Sequence, residues 1–218
     1  MYFLWDTETT GLPKTRQPNY KDLDAYVDCR LVSICWIILD ENYETVSTKY
    51  HVIKPNGFII PEDATKIHGI THDFATETGV PLTDILPDML IDLKKCTTLV
   101  AHNLSFDFGV MLSEFHRYGK RDMINNFFRQ TRYCTMFNGR TILGLKKVPT
   151  LSSLYETLTG TVMVGAHNAQ VDTECCAKCF VELSARANKL AKLDKLDTLD
   201  NLTATNQNAP DATSEPRV

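Results

Sequence analysis

The chain has 218 residues, 43% of them apolar and 23% charged, with a formal net charge of −4. That balance suits one globular domain, or a domain with a tail, and no stretch approaches the ~20 apolar residues of a membrane span. Seven cysteines, odd in number and irregular in spacing, argue against a disulfide framework, and no basic region followed by a long apolar run opens the chain. Both point to a cytoplasmic or otherwise intracellular, reducing location rather than secretion.

The first element is a buried strand over residues 2–6, and it runs into Asp6-Thr7-Glu8-Thr9-Thr10-Gly11. Residues two apart on a strand share a face, so Asp6 and Glu8 project together, as a hard divalent cation bound through oxygen requires. A surface turn with two solvated acids is the simpler alternative for this segment alone. Residues 13–30, with two prolines and many charges, read as a loop. The run Leu31 to Leu39 and the β-branched stretch Thr45 to Ile53, joined by Asp40-Glu41-Asn42, predict a hairpin.

A further loop is expected up to Pro81. Asp84 is the expected cap of a helix over residues 85–95, with Pro87 in its first turn. A short strand follows at residues 97–101. Ser105 is the expected cap of a helix that carries Phe108, Met111, Leu112 and Phe115 on one face. Residues 122–135 read as a short helix and then a strand near Tyr133. Thr150 caps a helix through Leu158 that Gly160 ends, and residues 168–190 are the longest helical pattern. Cys176-x-x-Cys179 falls within it and reads as buried apolar cysteine. Alternating strands and helices, with an early hairpin, give an α/β fold on a mixed sheet.

Residues 115–150 hold eight basic side chains against the single acid Asp122. That segment reads either as a phosphate-contacting surface or as a solvated face. Leu190, Leu193, Leu196, Leu199 and Leu202 recur every three residues, a period that makes no sustained stripe on an α-helix. They read as a fraying extension, with a partner-binding peptide as the alternative, and residues 203–218 read as disordered. The expected division is a domain over residues 1–188 and an extension over 189–218.

Two further acids complete a pattern. Asp107 ends Ala101-His102-Asn103-Leu104-Ser105-Phe106-Asp107 at a helix start, and Asp172 follows His167 by five residues at the start of the last helix. Acids gathered in this way can hold two Mg²⁺ or Mn²⁺ ions for phosphodiester cleavage, and a histidine suits the task of taking a proton from water.

These segments resemble the three motifs of the DEDDh exonucleases, and Ile67-His68-Gly69-Ile70-Thr71 resembles a fourth, in the same order and spacing. The resemblance covers about residues 2–185, and the pattern is most similar to the proofreading subunits of bacterial replicative polymerases and to the three-prime repair exonucleases. It implies a ribonuclease-H-like fold with a five-stranded sheet flanked by helices. It also implies a 3′→5′ exonuclease that removes 5′-mononucleotides from single-stranded DNA ends. By position it makes Asp6, Glu8, Asp107 and Asp172 ligands of two Mg²⁺ or Mn²⁺ ions and His167 the general base. The same carry-over makes Thr7, Thr9, Leu12, Ile67, His68, Asn103 and Phe106 substrate contacts, with Leu12 as a wedge against the last bases.

The implied partners are nucleic-acid 3′ ends, DNA favoured over RNA, with a DNA polymerase or a second copy as candidate associates and no membrane. The chain departs from the family pattern in its long charged segment 13–30, in Ser33 and Cys35, and in an aspartate absent near Cys134-Thr135-Met136. An exoribonuclease acting on RNA or short oligonucleotides and a non-catalytic nucleic-acid-binding module are the alternatives. A zinc hydrolase built on His51, His68, His102 and His116 finds no supporting motif.

Overall fold

A computed structural model of the chain describes the fold of residues 1–207 and the side chains of residues 1–192. The described residues form five strands and eight helices. These are β1 (Tyr2–Thr9), β2 (Leu31–Leu39), β3 (Thr45–Val52), α1 (Glu62–His68), α2 (His72–Thr78), α3 (Leu82–Lys95), β4 (Thr98–Ala101), α4 (Leu104–Arg117), α5 (Arg121–Arg129), β5 (Thr131–Cys134), α6 (Thr135–Ile142), α7 (Leu151–Thr159) and α8 (Ala169–Gln207). The strands form one mixed sheet in the order β3-β2-β1-β4-β5. β1 pairs antiparallel with β2 and parallel with β4, β2 pairs antiparallel with β3, and β4 pairs parallel with β5.

β2 is buried at every position, as a continuous apolar run in a strand covered on both faces should be. β1 shows how the two faces are used. Phe3 and Trp5 enter the large core with Trp36, Met111, Phe115 and Phe127, on the face covered by α3, α4 and α5. Leu4 enters the smaller core with Val100, Cys176 and Phe180 of α8. The even positions of β1 therefore face α8, and Asp6 and Glu8 continue that row past the last apolar pair. Met1–Leu183 form the compact unit, and α8 continues from Ser184 to Gln207 as a second one.

Several sequence expectations need correction. β1 extends to Thr9, so Glu8 as well as Asp6 lies within the strand. The expected loop before Pro81 contains α1 and α2, each of seven residues, too short for a 3.6-residue period to show. α3 begins at Leu82 after Pro81, leaving Asp84 in its first turn and Pro87 in its second. α4 begins at Leu104 after Asn103, whose φ is 58°, and Ser105 caps nothing. α6 has no counterpart in the sequence reading.

The 13–30 segment is not a free loop. Tyr26 and Cys29 lie in the large core. Its base is closed by Thr10, whose amide donates to the Arg30 carbonyl at 2.9 Å and whose hydroxyl accepts from the Arg30 amide at 2.9 Å. The Thr150 cap is as expected, its hydroxyl accepting from the Ser153 amide, and Gly160 ends α7 at φ 71°. The Leu repeat belongs to α8, which runs to Gln207 and so includes residues 203–207 of the tail expected to be disordered; the side chains from residue 193 onward and residues 208–218 lie outside the described residues.

Candidate active site

The carboxyl end of β1 opens into a cavity of about 590 Å³. β1 supplies Asp6 and Glu8, the start of α4 supplies Asp107, and the loop before α8 together with its first turn supplies His167 and Asp172, all of which line the cavity. One carboxylate oxygen from each of Asp6, Glu8 and Asp172 lies within 4.8 Å of the other two. The i, i+2 alternation of β1 sets the first two on one face, and α8, which packs on that face, brings the third.

Asp107 arrives differently. It sits on α4, which belongs to the opposite face, and reaches over the strand end, where the Thr7 hydroxyl and amide both donate to its Oδ1, at 2.7 and 3.1 Å. Thr7 is the odd-numbered residue between the two acids, so its side chain points toward α4. Asp107 is nearly fully buried, and those two donors are what make an ionised carboxylate tolerable there.

No cationic side chain forms a salt bridge with these four acids among the described residues. Their proton affinities record the cost. Burial pushes Asp6 well above the carboxylate range, with Asp107, Asp172 and Glu8 adding to the rise. Burial and the neighbouring acids raise Glu8 to about 8. Asp107 stands at about 7, raised by burial against the lowering effect of Thr7. Asp172 stands at about 6, raised by burial and held down by the His167 amide and ring. Asp172 Oδ1 is buried with no hydrogen-bond partner. Three converging acids, one with an orphaned oxygen and none with a counter-charge, suit a hard divalent cation.

His167 is exposed at the rim with a left-handed φ of 65°, and its amide donates to Asp172 Oδ2 at 3.2 Å. One wall comes from α1, which sequence reasoning missed. Ile67 is 58% exposed there, while His68 is buried and accepts from the Ile70 amide at Nδ1, 3.1 Å. That bond assigns the proton to Nε2, which has no partner, and burial lowers the affinity of the ring for a second proton. The opposite wall carries Thr9, Leu12, Asn103 and Phe106. Leu12 is 75% exposed, and the Thr9 hydroxyl is committed to the Gly11 carbonyl at 2.8 Å.

All twelve sequence-predicted residues line this one cavity. Pro61, Asp63 and Ala64 of the α1 wall, along with His102, join them unforeseen. The motif resemblance marked Ile67 and His68 of this wall, but not the helix that carries them, whose placement depends on tertiary packing. His102 is held by the Thr135 hydroxyl at 3.0 Å and the Pro149 carbonyl at 3.2 Å, and burial lowers its pKa to about 4, so it is neutral and both ring nitrogens are occupied.

An acid-lined cavity at the carboxyl end of the first strand of a mixed sheet defines an α/β protein with a candidate metal site. The exonuclease family model (RNase_T) matches residues 3–180, and the chain belongs to that family. Its fold is ribonuclease-H-like. Among curated proteins it is 37% identical over 124 residues to the DNA polymerase III subunit epsilon of Buchnera aphidicola subsp. Schizaphis graminum, an alignment that covers 56% of this chain and 48% of the relative. It is 31% identical over 111 residues to the subunit of the same name from Salmonella typhimurium, over 50% and 41% of the two chains. The chain thus spans about half the length of the curated relatives it matches.

Among solved structures, exonuclease X in complex with 5′ overhanging duplex DNA superposes with a TM-score of 0.58 at 21% identity, over 86% of this chain and 93% of that one. Escherichia coli exonuclease I in complex with a dT13 oligonucleotide does so with a TM-score of 0.63 at 17% identity, over 88% and 42%. Among the described residues, no helix is long and apolar enough to cross a membrane.

Proposed function

We propose that the chain is a metal-dependent 3′→5′ exonuclease that removes 5′-mononucleotides from single-stranded DNA ends, in proofreading or in DNA repair or degradation. The observation that carries this reading is the convergence of Asp6, Glu8 and Asp172 within 4.8 Å in a cavity whose walls present Leu12, Ile67 and Phe106. Acids without a counter-charge suit metal-assisted phosphodiester chemistry, and apolar and aromatic walls suit a nucleobase, whose stacking is sequence-tolerant.

In this reading Asp6, Glu8, Asp107 and Asp172 hold two Mg²⁺ or Mn²⁺ ions, which when bound polarise the phosphodiester and stabilise charge on the attacking and leaving oxygens. His167 takes the proton from the attacking water, and its amide fixes Asp172. The Thr7 hydroxyl and amide orient Asp107. The Nε2–H of His68 is a neutral donor toward the terminal nucleotide, and Leu12 separates that nucleotide from the next. The curated relatives are named as polymerase subunits, which makes a DNA polymerase the candidate partner.

The test is nucleotide release from 3′-labelled DNA and matched RNA strands, with and without Mg²⁺ or Mn²⁺, by the wild type and by Asp172→Ala. Metal-dependent release of 5′-mononucleotides from DNA, lost in the variant, is expected. Metal-independent release, or full activity of Asp172→Ala, refutes the assignment. Faster release from RNA makes the enzyme an exoribonuclease instead.

A further inference from the structure

A second cavity, of about 370 Å³, lies beside the first and is continuous with it across Leu12, Asn103 and Phe106, which line both. Its volume falls within the range of ligand pockets, roughly 300–1,000 Å³. One side is the 12–18 stretch of the charged segment that departs from the family pattern, and the other is the start of α6 with Met136 and Phe137.

The 12–18 wall is held in place. Gln17 takes a left-handed φ of 54°, a conformation disfavoured for a non-glycine residue that persists only when its surroundings hold it. Here its side-chain amide donates to the Ser105 hydroxyl at 3.1 Å, on the first turn of α4. Behind it Tyr26, buried in the core, donates its hydroxyl to the Pro18 carbonyl at 3.2 Å.

The charge and shape of the cavity select an occupant. Lys14 and Arg16 stand on the wall. Arg16 makes no salt bridge among the described residues, and Lys14 has only an exposed pair with Asp24 at 3.1 Å. On the facing side Phe137 is 45% exposed, and Arg140, exposed and three residues further along α6, flanks it on the helix surface. An exposed aromatic ring facing Lys14 and Arg16 across a cavity that adjoins the acid-lined one suits a stacked base with its phosphates and not an apolar peptide.

We propose that this cavity and the adjoining face of α6 form the track for the single strand upstream of the nucleotide being removed. The base 5′ of the terminal nucleotide passes Leu12 and stacks on Phe137, and the following phosphates meet Lys14, Arg16 and Arg140. The proposal rests on the exonuclease reading and adds to it a grip on strand length. The basic count of residues 115–150 thus divides, with Arg140 contacting substrate.

The test compares Arg16→Ala, Phe137→Ala and their double variant with the wild type on two substrates in Mn²⁺. One is a 12-nucleotide single-stranded DNA. The other is the p-nitrophenyl ester of thymidine 5′-phosphate, which has no upstream strand and so reports folding and the catalytic centre alone. The double variant is expected to keep wild-type turnover of the ester and to raise KM for the 12-mer about tenfold, with kcat little changed. Fluorescence anisotropy with a labelled 12-mer in Ca²⁺ reads the same grip without turnover.

An unchanged KM together with unchanged 12-mer affinity overturns the track, whatever the enzyme cleaves. A wild type that cleaves neither substrate overturns the exonuclease reading instead, and the anisotropy comparison still decides whether the strand lies on Arg16 and Phe137.

Discussion

Replacing Glu8 with glutamine should stabilise the metal-free protein while removing a proposed metal ligand. Glu8 is 9% exposed as a residue, and its carboxyl is raised from 4.5 to about 8 by burial and by Asp172 and Asp107. Because its folded pKa exceeds its unfolded one, the unfolded chain binds fewer protons across that window. Stability therefore falls as pH rises from about 4.5 to about 8. One pKa unit is about 1.36 kcal/mol, so the ionisable group costs the fold about 3 kcal/mol at pH 7 and only about 1 kcal/mol at pH 5. Glutamine does not titrate and has nearly the same shape.

In EDTA at pH 7, Glu8→Gln should melt above the wild type by about 6–12 °C, taking roughly 2–4 °C per kcal/mol for a chain of this size, and the gap should shrink at pH 5. With Mn²⁺ at a hundredfold excess over its dissociation constant, the wild type should gain about 2.7 kcal/mol by mass action, and the variant, lacking a ligand, clearly less. Scanning calorimetry at the two pH values, with EDTA and with Mn²⁺, measures all four quantities. A variant that melts at or below the wild type in EDTA at pH 7, or a gap that widens toward pH 5, would refute the view that burial without a cation disfavours the ionised form of Glu8.

The remaining predictions concern chemistry and packing. Asp6→Ala should abolish release of labelled nucleotides and leave the circular dichroism spectrum unchanged, whereas His167→Ala should lower kcat about 10²–10⁴-fold and retain Mn²⁺ stabilisation; a collapse of metal affinity in the latter would make His167 a ligand. Glu114 accepts from Arg30 Nε at 2.6 Å and is almost wholly buried with it, so Glu114→Ala should cost about 3–5 kcal/mol by leaving the guanidinium unpaired, read as a lower urea midpoint. A Cβ at Gly109 would lie 2.5 Å from the Tyr26 hydroxyl oxygen, so Gly109→Ala should destabilise the 13–30 segment, and adding Tyr26→Phe should restore much of the loss in a double-mutant cycle.

Two routes made the site legible in the sequence: local geometry for the Asp6–Glu8 pair, and the motif resemblance for Asp107, His167, Asp172 and the wall residues. Asp6 and Glu8 share a face because strands alternate, and β1 shows that alternation in Phe3 and Trp5 on one side and Leu4 on the other. Thr150 and Gly160 mark the ends of α7 through a side-chain acceptor and a left-handed φ, both chemical properties of single residues. What could not be read depends on partners far along the chain. The seven residues of α1 carry no period, yet as a wall they turn His68 into a buried donor. Asn103 begins α4 in a left-handed backbone conformation with no side-chain cap bond.

The 13–30 segment looks like solvent-exposed loop because its prolines and charges are local facts, while its order comes from Tyr26 against Gly109 and Arg30 against Glu114, pairs separated by about 80 residues. The same distinction separates the four acids. Three converge from β1 and the α8 packed on its face, while the fourth depends on Thr7, the residue between the first two, whose side chain points to the other face. A strand end whose acids face one helix and whose intervening hydroxyl bonds to the opposite one couples both layers of the fold to one cavity. Substitution of Thr7 should therefore alter Asp107 while leaving the Asp6–Glu8–Asp172 cluster in place.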